Sequence, residues 1–320
     1  MSGVRTKVTL LAGGVGGAKM AEGLAALDDA DLSIIGNIAD DDEFHGLWVS
    51  PDIDTLTYTL AGLINREQGW GVADESTRAL DTLNVLGCET WMTLGDRDFG
   101  LHIYRTNRRR LGDRPSDIAR DVAQRFGVKP QILLPSDDVV QTRVKTDAGW
   151  ISFQEYFVRE QCQPEISGLD YVGLEAAKVT DEAAEAIGSA DLIVLAPSNP
   201  LVSIDPILKI DDIRERVIAA EAPVFAVSPL IAGKVVKGPA DRMMTALGLR
   251  ADAVGVAEHY AGLVDRLYID HADAALTSQI EQNGMRCAVA PIVMKDLDDK
   301  ARLARQLLDD FTARSQERAA

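Results

Sequence analysis

The stretch KVTLLAGGVGGAK, from Lys7 to Lys19, decides the fold, because an apolar run ends there in four glycines within five residues. The run from Val8 to Ala12 is typical of a buried strand, and the residues from Gly17 to Leu27 have helical periodicity. A strand, a glycine turn and the N-terminus of a helix together form a common phosphate-binding unit of α/β proteins. The stretch therefore predicts an α/β fold that holds a nucleotide phosphate.

Two familiar phosphate motifs do not fit this turn. A P-loop needs a glycine before its lysine and Ser or Thr after it, whereas Ala18 precedes Lys19 and Met20 follows it. A dinucleotide fingerprint that starts at Gly14 has Lys19 in place of its third glycine, and the second strand ends in Asn37 rather than an acid. A turn that only reverses the chain and binds no ligand stays an open alternative. Four glycines are many for such a turn, because each one costs backbone entropy on folding.

Composition limits the class of protein and its partners. The chain has 320 residues, a hydrophobic fraction of 46% and a formal net charge of −17. This acidity excludes nucleic acid as an expected partner, because it repels polyphosphate. Cys88, Cys162 and Cys287 lack metal-binding spacing and read as reduced thiols. Since no signal pattern or bilayer-length apolar run stands out, we expect a cytoplasmic protein without membrane contact.

Short apolar strands alternate with helical stretches along the chain. This pattern predicts a Rossmann-like parallel sheet with helices on both faces. The predicted strands are Val8–Ala12, Leu32–Gly36, Gln131–Leu134, Leu192–Ala196, Val224–Ser228, Arg266–Ile269 and Arg286–Ala290. The predicted helices are Gly17–Leu27, Asp54–Arg66, Glu75–Leu86, Pro115–Phe126, Asp181–Ile187, Asp212–Ala220 and Asp298–Arg314.

An insert interrupts this alternation. Val139–Thr146 and Trp150–Val158 alternate apolar and polar residues around a turn at residues 147–149, which predicts an antiparallel hairpin. We expect residues 1–320 to form one α/β domain, with residues 40–160 as a helical and hairpin insert.

The densest polar segment, NIADDDEFHGLWVSPDID, runs from Asn37 to Asp54 after the second predicted strand. The carboxyl edge of a parallel sheet is where ligands collect. Asp40 and Asp52 together could hold one Mg²⁺, which takes oxygen ligands and often a substrate phosphate. The alternative is a solvated acidic loop in which Asp52 or Asp54 caps the next helix.

Three further segments carry polar groups. In LGDRDFGLHIYRTNRRR, from Leu94 to Arg110, residues 96–98 are predicted as a turn, and a helix would place His102 and Arg105 on one face. Arg108–Arg110 suit either phosphate recognition or an exposed basic face. Two strand-end loops, APSNP at 196–200 and SPLIAGKVVKGPA at 228–240, offer side chains to a nucleotide or only stabilise themselves.

Seven ordered motifs resemble the phospholactate transferase family of coenzyme F420 biosynthesis, over about residues 7 to 300. They are GGVGGAK, NIADDDEFHGLWVSPDIDT, LGDRDFGLHIYRT, LLPSDD, FQEYFV, APSNPLVSI and SPLIAGKVVKGPA. The resemblance implies an enzyme that joins a three-carbon phosphoacid to the deazaflavin Fo, 7,8-didemethyl-8-hydroxy-5-deazariboflavin. The donor would be a GDP-linked lactyl, enolpyruvyl or glyceryl acid, and GMP would leave.

The resemblance also implies roles for residues of this chain. Asp40 and Asp52 would bind Mg²⁺, and Asp54 would contact Fo. The family site just before the LGD motif also contacts Fo. It is often basic in relatives but is Thr93 here, so an Fo contact at this position would depend on the backbone. Asp54, Arg97 and His102 are the predicted catalytic residues. The predicted nucleotide-binding residues are Gly13, Gly14, Gly16, Gly17, Lys19, Ser198 and Asn199.

Two other functions are alternatives to this one. A non-catalytic group with a similar glycine-rich opening binds nucleotide sugars and regulates cell-envelope metabolism, but the PDIDT and LGDRD blocks favour the transferase. A NAD dehydrogenase is disfavoured by the broken dinucleotide fingerprint. Relatives of the transferase family suggest a homodimer.

Overall fold

The computed structural model describes residues 5–319, with side chains to residue 316. The strands are β1 (Thr6–Ala12), β2 (Ala30–Gly36), β3 (Asp42–Phe44), β4 (Leu47–Val49), β5 (Gln131–Leu133), β6 (Gln141–Thr146), β7 (Gly149–Ser152), β8 (Ile166–Val172), β9 (Leu192–Leu195), β10 (Val224–Val227), β11 (Leu230–Ile231), β12 (Lys234–Val235), β13 (Arg266–Ile269) and β14 (Arg286–Val289). The α-helices are α1 (Gly14–Ala25), α2 (Pro51–Leu60), α3 (Arg78–Val85), α4 (Asp96–Arg110), α5 (Pro115–Arg125), α6 (Asp181–Gly188), α7 (Asp205–Leu208), α8 (Ile213–Ala219), α9 (Ala240–Ala246), α10 (Ala253–His259), α11 (Thr277–Glu281) and α12 (Leu297–Ala319).

A seven-stranded parallel sheet with the order β14-β13-β10-β9-β1-β2-β5 forms the centre of the molecule. The Rossmann-like prediction is therefore confirmed, and each predicted strand of the sheet matches an observed one within two residues at either end. The order of connection changes direction between β1 and β9. Such a switch point opens a crevice at the carboxyl ends of the two strands.

The core explains why these strands lie in the middle of the sheet. Leu10, Leu11 and Ala12 of β1 are fully buried, as are all four residues of β9. Because helices cover both faces of a parallel sheet, its central strands need no polar alternation. Helix α1 packs against α2 and the long C-terminal α12.

The insert differs from its prediction in three places. The stretch predicted as a turn at 96–98 is the first turn of α4. The second hairpin strand, predicted to reach Val158, ends at Ser152 and is followed by a π-helical segment, Glu155–Arg159. The unpredicted β8 pairs with β6 to complete a three-stranded antiparallel sheet. The assignment of residues 1–320 to one domain, and of residues 40–160 to its insert, stays a prediction.

Three helix starts also differ from their predictions by three residues. Helix α1 begins at Gly14 and α2 at Pro51, each three residues earlier than predicted, whereas α3 begins at Arg78, three residues later. Pro51 fits the first position of a helix because its missing N–H would have no partner there. Within the described residues, no helix combines the length and apolar character that crossing a membrane requires.

Candidate active site

The loops after β1 and β9 meet at the switch point of the sheet. Ser198 donates from Oγ to the carbonyl oxygen of Gly13 at 2.6 Å and accepts from the Gly13 amide at 3.2 Å. A side chain at Gly16 would collide with the carbonyl oxygen of Pro197, and one at Gly17 would collide with Ala12. The glycines therefore allow the start of α1 to press against the 196–200 loop. The positive end of the α1 dipole faces the crevice that results.

Lys19 and Asn199 lie at this crevice with protein partners of their own. Lys19 is half-buried on the second turn of α1 and donates to the carbonyl oxygen of Met294 at 3.0 Å. Burial, and then the nearby Lys300, lowers the pKa of Lys19. Asn199 Oδ1 accepts from the amide of Leu201 at 3.0 Å and so shapes its own loop. Asn199 Nδ2 also lies 3.6 Å from Met243 Sδ, so both ends of this side-chain amide have protein partners. The nucleotide roles of Lys19 and Asn199 stay predictions.

Asp40 and Asp52 come together beside the glycine turn. Both are buried, and a Cβ atom at Gly13 would lie only 2.7 Å from Asp52 Oδ2. Burial, and then repulsion from Asp52 and Asp41, raises the pKa of Asp40, whereas burial raises the pKa of Asp52 to about 6. Asp40 Oδ1 is buried without a hydrogen-bond partner. Two adjacent carboxylates with an unpartnered oxygen fit a divalent cation.

The protein supplies only part of a full coordination shell. Within the described residues, no group of three or more His, Cys, Asp or Glu side chains is arranged to hold a metal ion. Mg²⁺ usually keeps several waters and takes one or two carboxylates plus substrate phosphates. The Asp40–Asp52 pair therefore fits Mg²⁺ better than a metal that needs an all-protein cage.

Asp41 is a buried acid that sequence reasoning did not single out. Its Oδ2 accepts from Ser50 Oγ at 2.7 Å and from Trp48 Nε1 at 3.1 Å, while its Oδ1 has no partner. Burial raises the pKa of Asp41 to about 7. When Asp41 is ionised, it raises the pKa of Asp40 further, after burial and Asp52.

Asp54 and His102 meet in the interior, together with Arg105. Arg105 donates to both carboxylate oxygens of Asp54, at 3.0 Å from Nη1 to Oδ2 and at shorter range from Nη2 to Oδ1. His102 Nδ1 lies 3.3 Å from Arg105 Nη1 and 3.8 Å from Asp54 Oδ2. Burial lowers the pKa of His102 to about 4, so its imidazole is neutral at pH 7. The helical spacing of His102 and Arg105 was visible in the sequence, but their partner Asp54 was not.

Arg97 and Thr93 lie outside this buried group. Arg97 is exposed; its guanidinium donates to the carbonyl oxygen of Ala73, and its amide donates to Glu75. Thr93 is also exposed, three residues before α4. Both lie at the N-terminal end of α4. Their predicted contacts with substrate stay predictions.

The three arginines at the end of α4 make different contacts within the protein. Arg108 forms ion pairs with Asp113 and Asp121. Arg109 lies over the Trp48 ring, 4.1 Å from its centroid. Arg110 donates to the carbonyl oxygen of Gly46 at 3.3 Å. The basic run thus holds the insert together.

An open cavity of about 380 Å³ lies in the insert, next in sequence to the buried acids. Its lining includes Asp42, Phe44 and His45 after β2, and Trp91 and Met92 just before Thr93. Aromatic and thioether groups of this kind pack well against a planar ring. The lining also carries the carboxylates of Asp42, Glu43, Glu89 and Glu155, so the cavity offers a planar ring both apolar contacts and acidic groups.

Comparison with known proteins adds to this geometry. The family model described as 2-phospho-L-lactate transferase CofD matches residues 8–305. Phosphoenolpyruvate transferase of Streptomyces griseus is 42% identical over 310 residues, which are 95% of this chain and 98% of that protein. 2-phospho-L-lactate transferase of Methanopyrus kandleri is 38% identical over 306 residues, or 94% and 96% of the two chains. The solved structure of protein BH3568 from Bacillus halodurans has a TM-score of 0.63 at 16% identity and covers 95% of this chain and 99% of that one, a likeness of fold alone.

Proposed function

Because this chain belongs to the 2-phospho-L-lactate transferase CofD family, we propose that it transfers a phospho-three-carbon-acid group from a GDP-linked donor to the deazaflavin Fo. The enzyme is a transferase of the phospholactate and phosphoenolpyruvate type. The observation that carries the finer proposal is the buried Asp40–Asp52 pair beside the glycine turn, which suits a cation bound to a nucleotide phosphate.

The proposed donor carries enolpyruvyl phosphate rather than phospholactate. Relatives called phosphoenolpyruvate transferase are 42% and 40% identical to this chain, and a relative called 2-phospho-L-lactate transferase is 38% identical. A comparison of the three donors therefore decides which acid is transferred.

The donor would lie in the crevice between the loops after β1 and β9. The N-terminal end of α1 would face the diphosphate, whose negative charge the helix dipole favours. Lys19 adds a cation one helical turn later, and Ser198 and Asn199 form the opposite wall. These groups would stabilise the negative charge that grows on the departing GMP.

Asp40 and Asp52 would hold Mg²⁺. When bound, the cation would neutralise charge on the phosphorus centre and its leaving oxygen. The two carboxylates repel each other in a buried setting, as the raised pKa of Asp40 indicates, and a cation relieves that repulsion.

The acceptor would place its deazaflavin ring in the cavity near Trp91 and its ribityl chain toward Asp54. The terminal hydroxyl oxygen of Fo then attacks the phosphorus that bears the three-carbon acid, and the bond from phosphorus to the GMP oxygen breaks. A phosphodiester remains on Fo, and GMP leaves with the electron pair of the broken bond. The hydroxyl proton is released to solvent, with Asp54 accepting a hydrogen bond from that hydroxyl as it attacks.

The test combines the purified protein, Fo and Mg²⁺ with each of the three GDP-linked donors. Mass spectrometry identifies the product, and we expect a phosphodiester of Fo that forms fastest with the enolpyruvyl donor. Fluorescence polarisation of Fo without donor checks acceptor binding separately. If Fo binds but no donor gives a product, the proposed donor class is wrong; if Fo does not bind, the proposed acceptor is wrong.

A further inference from the structure

Arg105 is a buried cation that is paired with Asp54. Its side chain is 8% exposed, and that of its partner Asp54 is 7% exposed. The planar guanidinium contacts both Asp54 oxygens, which is the two-pronged geometry that lysine cannot reproduce. Asp41 adds a favourable charge interaction with the same guanidinium.

Stability alone gives little reason for this pair. Removing two charges from water costs about as much as their attraction returns, and buried pairs can often be replaced by apolar groups without loss. Surface pairs elsewhere on the chain, such as Arg305 with Asp29 at 2.7 Å for both contacts, avoid that cost. A buried pair beside the proposed acceptor hydroxyl therefore points to a role in orientation.

We propose that Arg105 is a positioning residue that fixes the Asp54 carboxylate for the acceptor hydroxyl. The proposal rests on the proposed function, in which Asp54 accepts the hydrogen bond of that hydroxyl. Each carboxylate oxygen that Arg105 engages keeps a lone pair for another donor. With the carboxylate plane fixed, the hydroxyl approaches phosphorus along one direction.

His102 belongs to the same arrangement. Its Nδ1 lies 3.3 Å from Arg105 Nη1 and can accept that N–H when the imidazole is neutral. His102 is 1% exposed, so packing fixes its ring. His102 thus orients Arg105, and Arg105 orients Asp54.

The test uses Arg105→Lys, which keeps the charge and loses the two-pronged contact. Arg305→Lys is the matched control, since it changes an equally bidentate but exposed pair far from the site. We expect Arg105→Lys to lower kcat by about 10- to 100-fold, with the KM of the donor changed less than about twofold. We expect Arg305→Lys to leave both constants unchanged. The kcat of each variant is calculated per folded molecule, and thermal unfolding of the same sample gives the folded fraction.

A second pair of variants tests whether Arg105 acts through Asp54. In an Asp54→Asn background, we expect Arg105→Lys to cause no further loss of kcat or of Fo affinity, because the group that it positions has changed. Multiplicative losses would overturn the proposal, as would an unchanged kcat per folded molecule in Arg105→Lys alone. Wild-type enzyme that transfers nothing would instead overturn the proposed function, so the two failures are distinguished by the sample in which they occur.

Discussion

Asn37 donates from Nδ2 to Asp52 Oδ2 at 2.9 Å, and the same nitrogen lies 3.1 Å from the carbonyl oxygen of Val202. One fully buried amide thus ties an acid after β2 to the segment that follows β9. The position is where a dinucleotide-binding protein carries an acid for the ribose. Here an amide serves better, because an acid would face Asp52.

Asn37→Asp should destabilise the metal-free protein by about 2 kcal/mol or more, since it replaces a donor with a like charge and leaves the Val202 oxygen unpaired. Urea unfolding in EDTA measures the change. Added Mg²⁺ should recover part of the loss by neutralising the acids. An unchanged unfolding midpoint in EDTA would contradict this account of the amide.

Asp40→Asn and Asp52→Asn should each lower transfer by about 100-fold or more at limiting Mg²⁺, because each removes one of the two carboxylates proposed for the cation. The fold should stay intact, since the raised pKa of each acid shows that burial disfavours its charge. Asp147→Asn, in the exposed β6–β7 turn, is the control. A wild-type rate in either variant would sink the metal assignment.

Gly16→Ala should destabilise the protein by about 1–3 kcal/mol, because the new methyl group collides with the backbone oxygen of Pro197. GDP affinity should fall about tenfold or more as the two loops separate. Gly100→Ala is the matched control, since an added methyl at that exposed position of α4 meets nothing within 4 Å. It should stabilise the protein by about 0.5–1 kcal/mol. Calorimetry measures both effects, and equal effects of the two substitutions would refute the packing argument.

Asp41→Asn should make unfolding less sensitive to pH. The folded pKa of Asp41, about 7, lies above the ordinary value of 3.8, so the folded protein binds this proton more tightly than the unfolded chain. Ionisation of Asp41 therefore lowers the free energy of unfolding progressively as the pH rises from about 4 to about 7. Between pH 5 and pH 7.5 in EDTA, the free energy of unfolding of the variant should rise relative to that of the wild type by about 1 kcal/mol or more. His102 titrates alike in both proteins, so parallel pH curves would show that Asp41 is not the cause.

The central sheet could be predicted because each of its strands is a short apolar run. A strand that is buried on both faces needs apolar residues at successive positions, and this pattern is visible in the sequence. Helix α4 was not among the predicted helices, because Gly95 and Gly100 bracket an acidic stretch that resembles a turn. In the structure Gly95 only precedes the helix, and the acids occupy its first turn, where the dipole favours them.

The candidate site was predictable where one rule applied, namely that polar residues after parallel strands gather at one edge. This rule brought Asp40, Asp52 and the glycine turn together. It could not reveal Arg105, because its pairing with Asp54 depends on how α4 packs against α2 across 51 positions. Nor could it separate the buried His102 from the exposed Arg97, which lie on one helix.

The hydrogen bond from Ser198 to Gly13 joins residues that are 185 positions apart in the chain. During synthesis, β1 and β2 therefore emerge long before β9, and β1 waits with one apolar edge uncovered. Such an edge is open to pairing with another chain. We therefore expect the nascent chain to be prone to aggregation after its first sheet strand has been synthesised and before its fourth has emerged. Binding of a chaperone in this interval would cover the exposed edge of β1.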